Sequence, residues 1–455
     1  MAEKGNGLDV QKLLAMLAQS KEKIEPLKDV KIEIINVSYI KKDGAVDVRP
    51  VRLFLPDKRK PLAPLVYVPH YEMPEDALEV REYLKEGWAV ASCAEFKNEY
   101  NASIAHDDLV FNNAALYTLK NRTDIDSNRI AVVGGSAGGY SALMLNALQL
   151  GICCCVANGP ICNLYFNFYQ YFQTAIKYNL AAIAAMSEEE RKDIPILLSK
   201  LPIPFLGAVT GSFAPVLQNF PNADDMESWE AVSPTALCEN FCNPLYITSC
   251  TSDILVPVDQ ITKKFTYEKN GDTLPADFNC RLPSDIKGKL KFSLEERLPK
   301  HEVNLMCRPV VTDGSDVVYE FDESKQFQIF ITDEGAPESY ASHNKGTQTG
   351  KSVDVPYIKA MLEKTAAKTN ILTTDKLKML LEKYQGKSVL LPAHENTDNS
   401  VYGSLEVYRK EVLEQLRKWK NDNGVEALKD VFDKLVSQEK NDDFNAVMNE
   451  INKLI

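Results

Sequence analysis

Hydrophobic and polar positions along this chain follow two different periods. Residues 30–40 and 48–55 alternate apolar and polar side chains on either side of a Lys-Lys-Asp-Gly turn, which predicts a half-buried antiparallel hairpin. The runs at 65–68, 89–94 and 130–133 are instead short and continuously apolar, the pattern of parallel strands buried on both faces. Segments of helical period at 75–86, 109–120 and 140–150 lie between or after them, so the chain should wind as right-handed β-α-β crossovers. Further strands are expected at 152–157, 245–249 and 327–332. Together these give an α/β fold: a doubly wound, mostly parallel eight-stranded sheet flanked by helices.

Two stretches break the rhythm. Residues 161–229 form a long, mostly helical segment rich in aromatics, and 262–322 form a polar, irregular one. Long interruptions of compact domains are usually lids or binding segments. The expected organisation is an N-terminal helical segment at 1–28, a core at 29–160 and 230–350 carrying the insertion 262–322, a helical cap at 161–229, and a helical C-terminal extension at 351–455. Within the extension, helices are expected at 357–365, 375–384, 405–420 and 425–438, and ahead of the core at 8–22, where Leu13, Leu14 and Leu17 share a face.

Composition narrows the classes of function. The chain has 455 residues, 45% of them hydrophobic and 25% charged, with a net charge of −12. An acidic balance argues against binding a phosphate backbone, so nucleic acid is not an expected partner. No run approaches the 18 or so apolar residues of a membrane span, and the first residues lack the apolar core of a signal peptide. A cytoplasmic protein without membrane association is therefore expected. Of the ten cysteines, Cys153, Cys154 and Cys155 are consecutive in an apolar run and read as small hydrophobes, so free thiols are expected. Cys238 and Cys242 have loosely metal-like spacing, but no second pair completes a site, and no metal is expected.

The chemistry concentrates at Arg129-Ile-Ala-Val-Val-Gly-Gly-Ser-Ala-Gly-Gly-Tyr140. Ser136 stands in a G-x-S-x-G frame between an apolar strand and a helical run. A hydroxyl becomes a useful nucleophile when a sharp strand-to-helix turn exposes it and supplies a hydrogen-bond donor. Taken alone, the pentapeptide also fits a glycine-rich phosphate loop or a tight turn. The remaining residues decide.

A nucleophilic serine needs an imidazole to take its proton and a carboxylate to orient that imidazole. Asp253 follows the strand at 245–249 and precedes a Val-Pro that redirects the chain; Asp259 is the fallback, and capping of a helix near Val258 is the structural alternative. Among five histidines, His343 follows the last strand on a polar loop at the carboxyl edge, where open α/β sheets bind ligands. His301 lies in the irregular insertion and ranks second. His106 and His394 read as surface or local hydrogen-bonding residues. The oxyanion calls for two donors, the N–H of Ala137 and, from the turn Val66-Tyr-Val-Pro-His-Tyr-Glu72, the N–H of Tyr71, with the His70 side chain shaping that loop.

The order Ser136, Asp253, His343, with the blocks at 128–139 and 252–260, resembles α/β-hydrolase serine enzymes, in particular the acetyl-esterase and hormone-sensitive-lipase-like esterases and their prolyl-oligopeptidase relatives. The resemblance covers roughly residues 30–345 and implies the triad, a helical cap after the sixth strand and no cofactor. Two departures stand out. His-Tyr-Glu-Met occupies positions 70–73 in place of the family's His-Gly-Gly-Gly, and 343 − 253 = 90 residues separate acid and base, more than the family's usual interval.

The expected activity is that of a serine carboxylic-ester hydrolase acting on a small or aryl ester. From the aromatic run at 165–172, one or two of Tyr165, Phe168 and Tyr169 are expected to contact substrate, the other rings packing the cap onto the core. A prolyl-oligopeptidase-type peptidase is the nearest rival, although no repeat of propeller-blade length is visible. A non-catalytic binding protein of the same fold is the other. The sequence leaves the oligomeric state open, a homo-oligomer included.

Overall fold

The computed structural model describes residues 27, 30–41, 44–56, 62–95, 104–148, 152–193, 196–197, 200, 226, 229, 232–238, 241, 243–251, 253, 255–263, 266–269, 272–275, 290, 292–309, 320–333 and 354–367. The helices expected at 8–22 and beyond 370, and His343 and His394, lie outside them.

Strands β1 (Val30–Ile40) and β2 (Val46–Pro56) pair antiparallel over their whole lengths, as their alternation predicts. Strands β3 (Ala63–Glu72), β4 (Ala89–Cys93), β5 (Ile125–Gly135), β6 (Cys154–Asn158) and β7 (Leu245–Cys250) follow. A small antiparallel hairpin, β8 (Thr266–Lys269) with β9 (Asp272–Pro275), stands apart as its own sheet. Strands β10 (Val303–Pro309) and β11 (Phe327–Asp333) complete the main sheet. Its order is β1-β2-β4-β3-β5-β6-β7-β11-β10, with every pair from β4 to β10 parallel.

The main sheet thus has nine strands rather than eight. The added strand is β10, inside the segment read as irregular; it pairs with β11 at the rim of the sheet. Its sequence, Val-Asn-Leu-Met-Cys-Arg-Pro, mixes apolar and polar residues and ends in proline, which a strand at the rim of a sheet tolerates and a central strand does not.

Alternating side chains divide the core into two layers. Leu65, Tyr67, Ile130 and Val132 face a layer closed by helices α1 (Asp107–Lys120) and α2 (Ala137–Leu148) and by the aromatic segment after β6. Val66, Val68, Ala131 and Val133 face the opposite layer, closed by the helix Leu78–Lys85 and by the helix Asp354–Ala367. Burial on both faces explains why β3, β4, β6 and β7 read as continuous apolar runs. Cys154 and Cys155 are wholly buried in β6, and burial drives both thiols well above their ordinary range, as expected of cysteines used as small apolar side chains. No helix among the described residues is long and apolar enough to cross a membrane.

Candidate active site

Because β3, β5, β6, β7 and β11 are parallel, their carboxyl ends share one edge of the sheet, and most of the residues singled out by sequence gather there. Strand β5 ends at Gly135, and Ser136 forms the turn into α2 with φ of 55°. A non-glycine residue in the left-handed region stores strain on the order of 1–3 kcal/mol, held only where the surroundings enforce it. Here the Ser136 N–H donates to the carbonyl of Asn158 (2.8 Å), and the Tyr140 N–H donates to the carbonyl of Ser136 (3.0 Å). The turn is also sterically exclusive. A Cβ on Gly134 would lie 2.1 Å from the Gly138 oxygen, and one on Gly139 would lie 3.0 Å from Pro160 Cα. Ser136 is half-buried, and Ala137 opens α2, so its N–H belongs to the unpaired, electropositive first turn of a helix.

Alongside it, β3 carries a second left-handed residue, His70, at φ of 73°, two residues before its end. The His70 N–H donates to Asn112 Oδ1 (3.0 Å), Nδ1 lies 2.7 Å from Asp108 Oδ2, and the Cys93 thiol donates to the His70 carbonyl. Asp108 also faces Arg49 Nη1 at 3.2 Å, Arg49 Nε donates to the Tyr39 hydroxyl (2.7 Å), and that hydroxyl donates to Asp47. The Asp108 and Arg49 side chains are 1% and 5% exposed, so this is a buried ionic chain rather than a surface one. Its effect is to place Tyr71 against the serine turn: a Cβ on Gly138 would touch Pro69 O and Tyr71 Cδ2, both at 3.1 Å. His70 is therefore buried, with both its backbone N–H and its ring held by α1.

Strand β7 ends at Cys250, and the buried Asp253 follows. Its Oδ1 accepts from the N–H groups of Leu255 and Val256, both at 2.9 Å, which fixes the plane of the carboxylate. Strand β6 alone separates β5 from β7, so the two loops leave the sheet about 10 Å apart, two strand spacings. Asp259 sits in the 3-10 turn Val258–Gln260. Strand β11, the neighbour of β7, delivers its outgoing chain at this same edge, ten residues before His343.

The other histidines separate clearly. His301 is exposed in the turn Lys300–Glu302, immediately ahead of β10, and so lies at the opposite edge of the sheet from Ser136. His106, read as a surface or local hydrogen-bonding residue, is only 6% exposed where α1 begins, buried by the packing of that helix against β1, β3 and β5, so the surface alternative fails.

Chain leaving β6 passes Pro160, which abuts Gly139, and enters a π-helix, Tyr165–Phe172. Tyr165 and Tyr169 are half-buried and stack with centroids 5.4 Å apart, both edge-on to the buried Trp229 at 6.2 Å. Phe168, the third candidate, is 1% exposed and packs edge-on against Phe172.

Sequence reading passed over Asp108 and Asn112, both 0% exposed on α1. The signal was present: two polar residues four apart on an otherwise apolar helix face. It also passed over Asp354, whose carboxylate receives Asn158 Nδ2 (3.4 Å) and the Tyr83 hydroxyl (3.3 Å). Burial raises its pKa to about 6, helped by Glu79 and Glu82 and opposed by those two hydrogen bonds.

No protein-family model matches the sequence, and no curated protein does. Comparison of the coordinates with solved structures finds a puromycin hydrolase (14% identity, TM-score 0.38, 74% of this chain and 39% of that one) and prolyl oligopeptidase B from Galerina marginata (14%, 0.40, 74% and 36%). It also finds the Pyrococcus horikoshii acylaminoacyl peptidase (15%, 0.33, 54% and 35%). The chain thus spans well under half the length of each of these larger proteins.

Proposed function

We propose that this chain is an α/β-hydrolase-fold serine hydrolase that opens a small or aryl carboxylic ester through an acyl-enzyme. The observation that carries the reading is the strained Ser136 turn at the end of β5, with a buried, oriented Asp253 two strands away on the same edge. Left-handed strain at a lone serine inside a glycine cage is the geometry of a nucleophile elbow, and a phosphate loop has no need of a carboxylate beside it.

In this reading Ser136 Oγ attacks the acyl carbon while His343 takes its proton, and Asp253 holds the imidazole in the required tautomer. The N–H groups of Ala137 and Tyr71 hold the oxyanion. Collapse expels the alcohol, protonated by His343, and water repeats the sequence to release the acid. Tyr165 and Tyr169 form an apolar ledge for the acyl part. Amide hydrolysis by the same residues is the second reading, since the acyl-enzyme step is common to both.

Labelling by a fluorophosphonate probe tests the nucleophile. Wild type should label at Ser136, and Ser136→Ala should lose the label and several orders of magnitude of turnover while melting normally. Full esterase activity in that variant would end the proposal. Comparing p-nitrophenyl esters with aminoacyl anilides decides between ester and amide.

A further inference from the structure

Gln260 is wholly buried, and the acyl-transfer chemistry above makes no use of it. It lies in the 3-10 turn seven residues after Asp253. Its Oε1 accepts from the N–H groups of Cys162 (3.2 Å) and Asn163 (3.0 Å), and its Nε2 donates to Asn167 Oδ1 (2.7 Å). All three partners belong to the chain that leaves β6 and winds into the π-helix, and Asn167 sits midway between Tyr165 and Tyr169. A primary amide meets this demand for two accepted bonds and one donated; an aliphatic side chain meets none of it.

We propose that Gln260 is a positioning residue for substrate selection: it ties the loop of Asp253 to the π-helix, so that the Tyr165–Tyr169 pair meets the acyl group at a fixed place relative to the catalytic edge. This rests on the reading of Ser136 as nucleophile and of the tyrosine pair as the acyl ledge. The π-helix is a rare form, found mostly as single-turn bulges in α-helices and frequently at functional sites. It is moored on a second side, where Ser233 Oγ accepts from the Leu164 N–H (2.9 Å) and the Thr235 N–H donates to the Cys162 carbonyl (3.0 Å). Loss of the Gln260 bonds therefore shifts the ledge without freeing the segment, and it leaves the bonds that close the Ser136 turn untouched.

The test compares wild type with Gln260→Leu and Gln260→Glu on two p-nitrophenyl esters that share a leaving group, the acetate and the phenylacetate. Gln260→Leu should raise KM for the phenylacetate about tenfold, a change of about 1.4 kcal/mol, with little change in kcat. Kinetics on the acetate and the rate of fluorophosphonate labelling should stay at wild-type values. Gln260→Glu keeps the acceptor for the Cys162 and Asn163 N–H groups but cannot donate to Asn167 Oδ1, so it should raise the phenylacetate KM as Gln260→Leu does. If Gln260→Leu does not fold, Asn167→Ala, which deletes only the partner within the π-helix, should show the same selective rise in KM. An equal rise for both esters, or an unchanged phenylacetate KM in a folded variant, overturns the inference. Absence of labelling in wild type removes the underlying reading and the inference with it, whereas intact labelling with a flat ester ratio removes the inference alone.

Discussion

Asp354 gives a prediction whose sign runs against intuition. Its carboxylate is buried at the start of the last described helix, and its two hydrogen-bond partners, Asn158 Nδ2 and the Tyr83 hydroxyl, stand at the long distances of 3.4 and 3.3 Å. Burial dominates, and with Glu79 and Glu82 on the neighbouring helix it raises the pKa from 3.8 to about 6. The folded chain holds this proton more tightly than the unfolded one. The group's contribution to stability is thus fully present below about pH 4 and is lost as the pH rises through 6. By pH 7.5 the loss amounts to roughly 3 kcal/mol, taking about 1.36 kcal/mol for each tenfold change in proton affinity. Asparagine is nearly the same shape and does not titrate. Asp354→Asn should therefore match wild type near pH 4 and exceed it by roughly 3 kcal/mol at pH 7.5, read from urea denaturation midpoints of the two proteins measured side by side. Other titrating groups cancel in that difference. A substitution that destabilises by the same amount at both values of pH would show that the carboxylate is ionised and anchored in the folded chain, and the reasoning would be refuted.

Two further substitutions probe the frame around Ser136. Gly134→Ala places a Cβ 2.1 Å from a backbone oxygen that cannot move without unwinding α2, so it should cost at least about 3 kcal/mol in denaturation midpoint and remove probe labelling; a stable, labelled variant would contradict the steric reading of the turn. Asp108→Ala deprives both Arg49 and His70 of their buried carboxylate and should cost roughly 3–5 kcal/mol, with Asp108→Asn costing less, as measured by chemical denaturation; an Ala variant within about 1 kcal/mol of wild type would show that the ionic chain contributes little.

Sequence by itself determined much of what is enforced between near neighbours in the chain. The change of period from two to continuous apolar runs separated the hairpin β1–β2 from the buried parallel strands, because a strand covered on both faces has no polar side to show. Gly134 marked the turn, because the clash it avoids involves an atom only four residues away, whereas Gly138 and Gly139 make room for the distant Pro69, Tyr71 and Pro160. Strand β10 escaped, since a strand at the rim of a sheet is free to break its apolar run with Asn304 and Arg308 and to end in proline. The π-helix escaped because an aromatic run carries no sign of which carbonyl each N–H will choose, and only the fold shows Phe168 packed inward on Phe172 while the half-buried Tyr165 and Tyr169 stack on each other. Only the tertiary structure assigned Asp108 to Arg49 across 59 residues, Gln260 to Asn163 across 97, and Asp354 to Asn158 across 196. Such pairings depend on the order of strands in the sheet, and a polar residue destined for burial looks the same in sequence as one destined for water until its partner is brought to it.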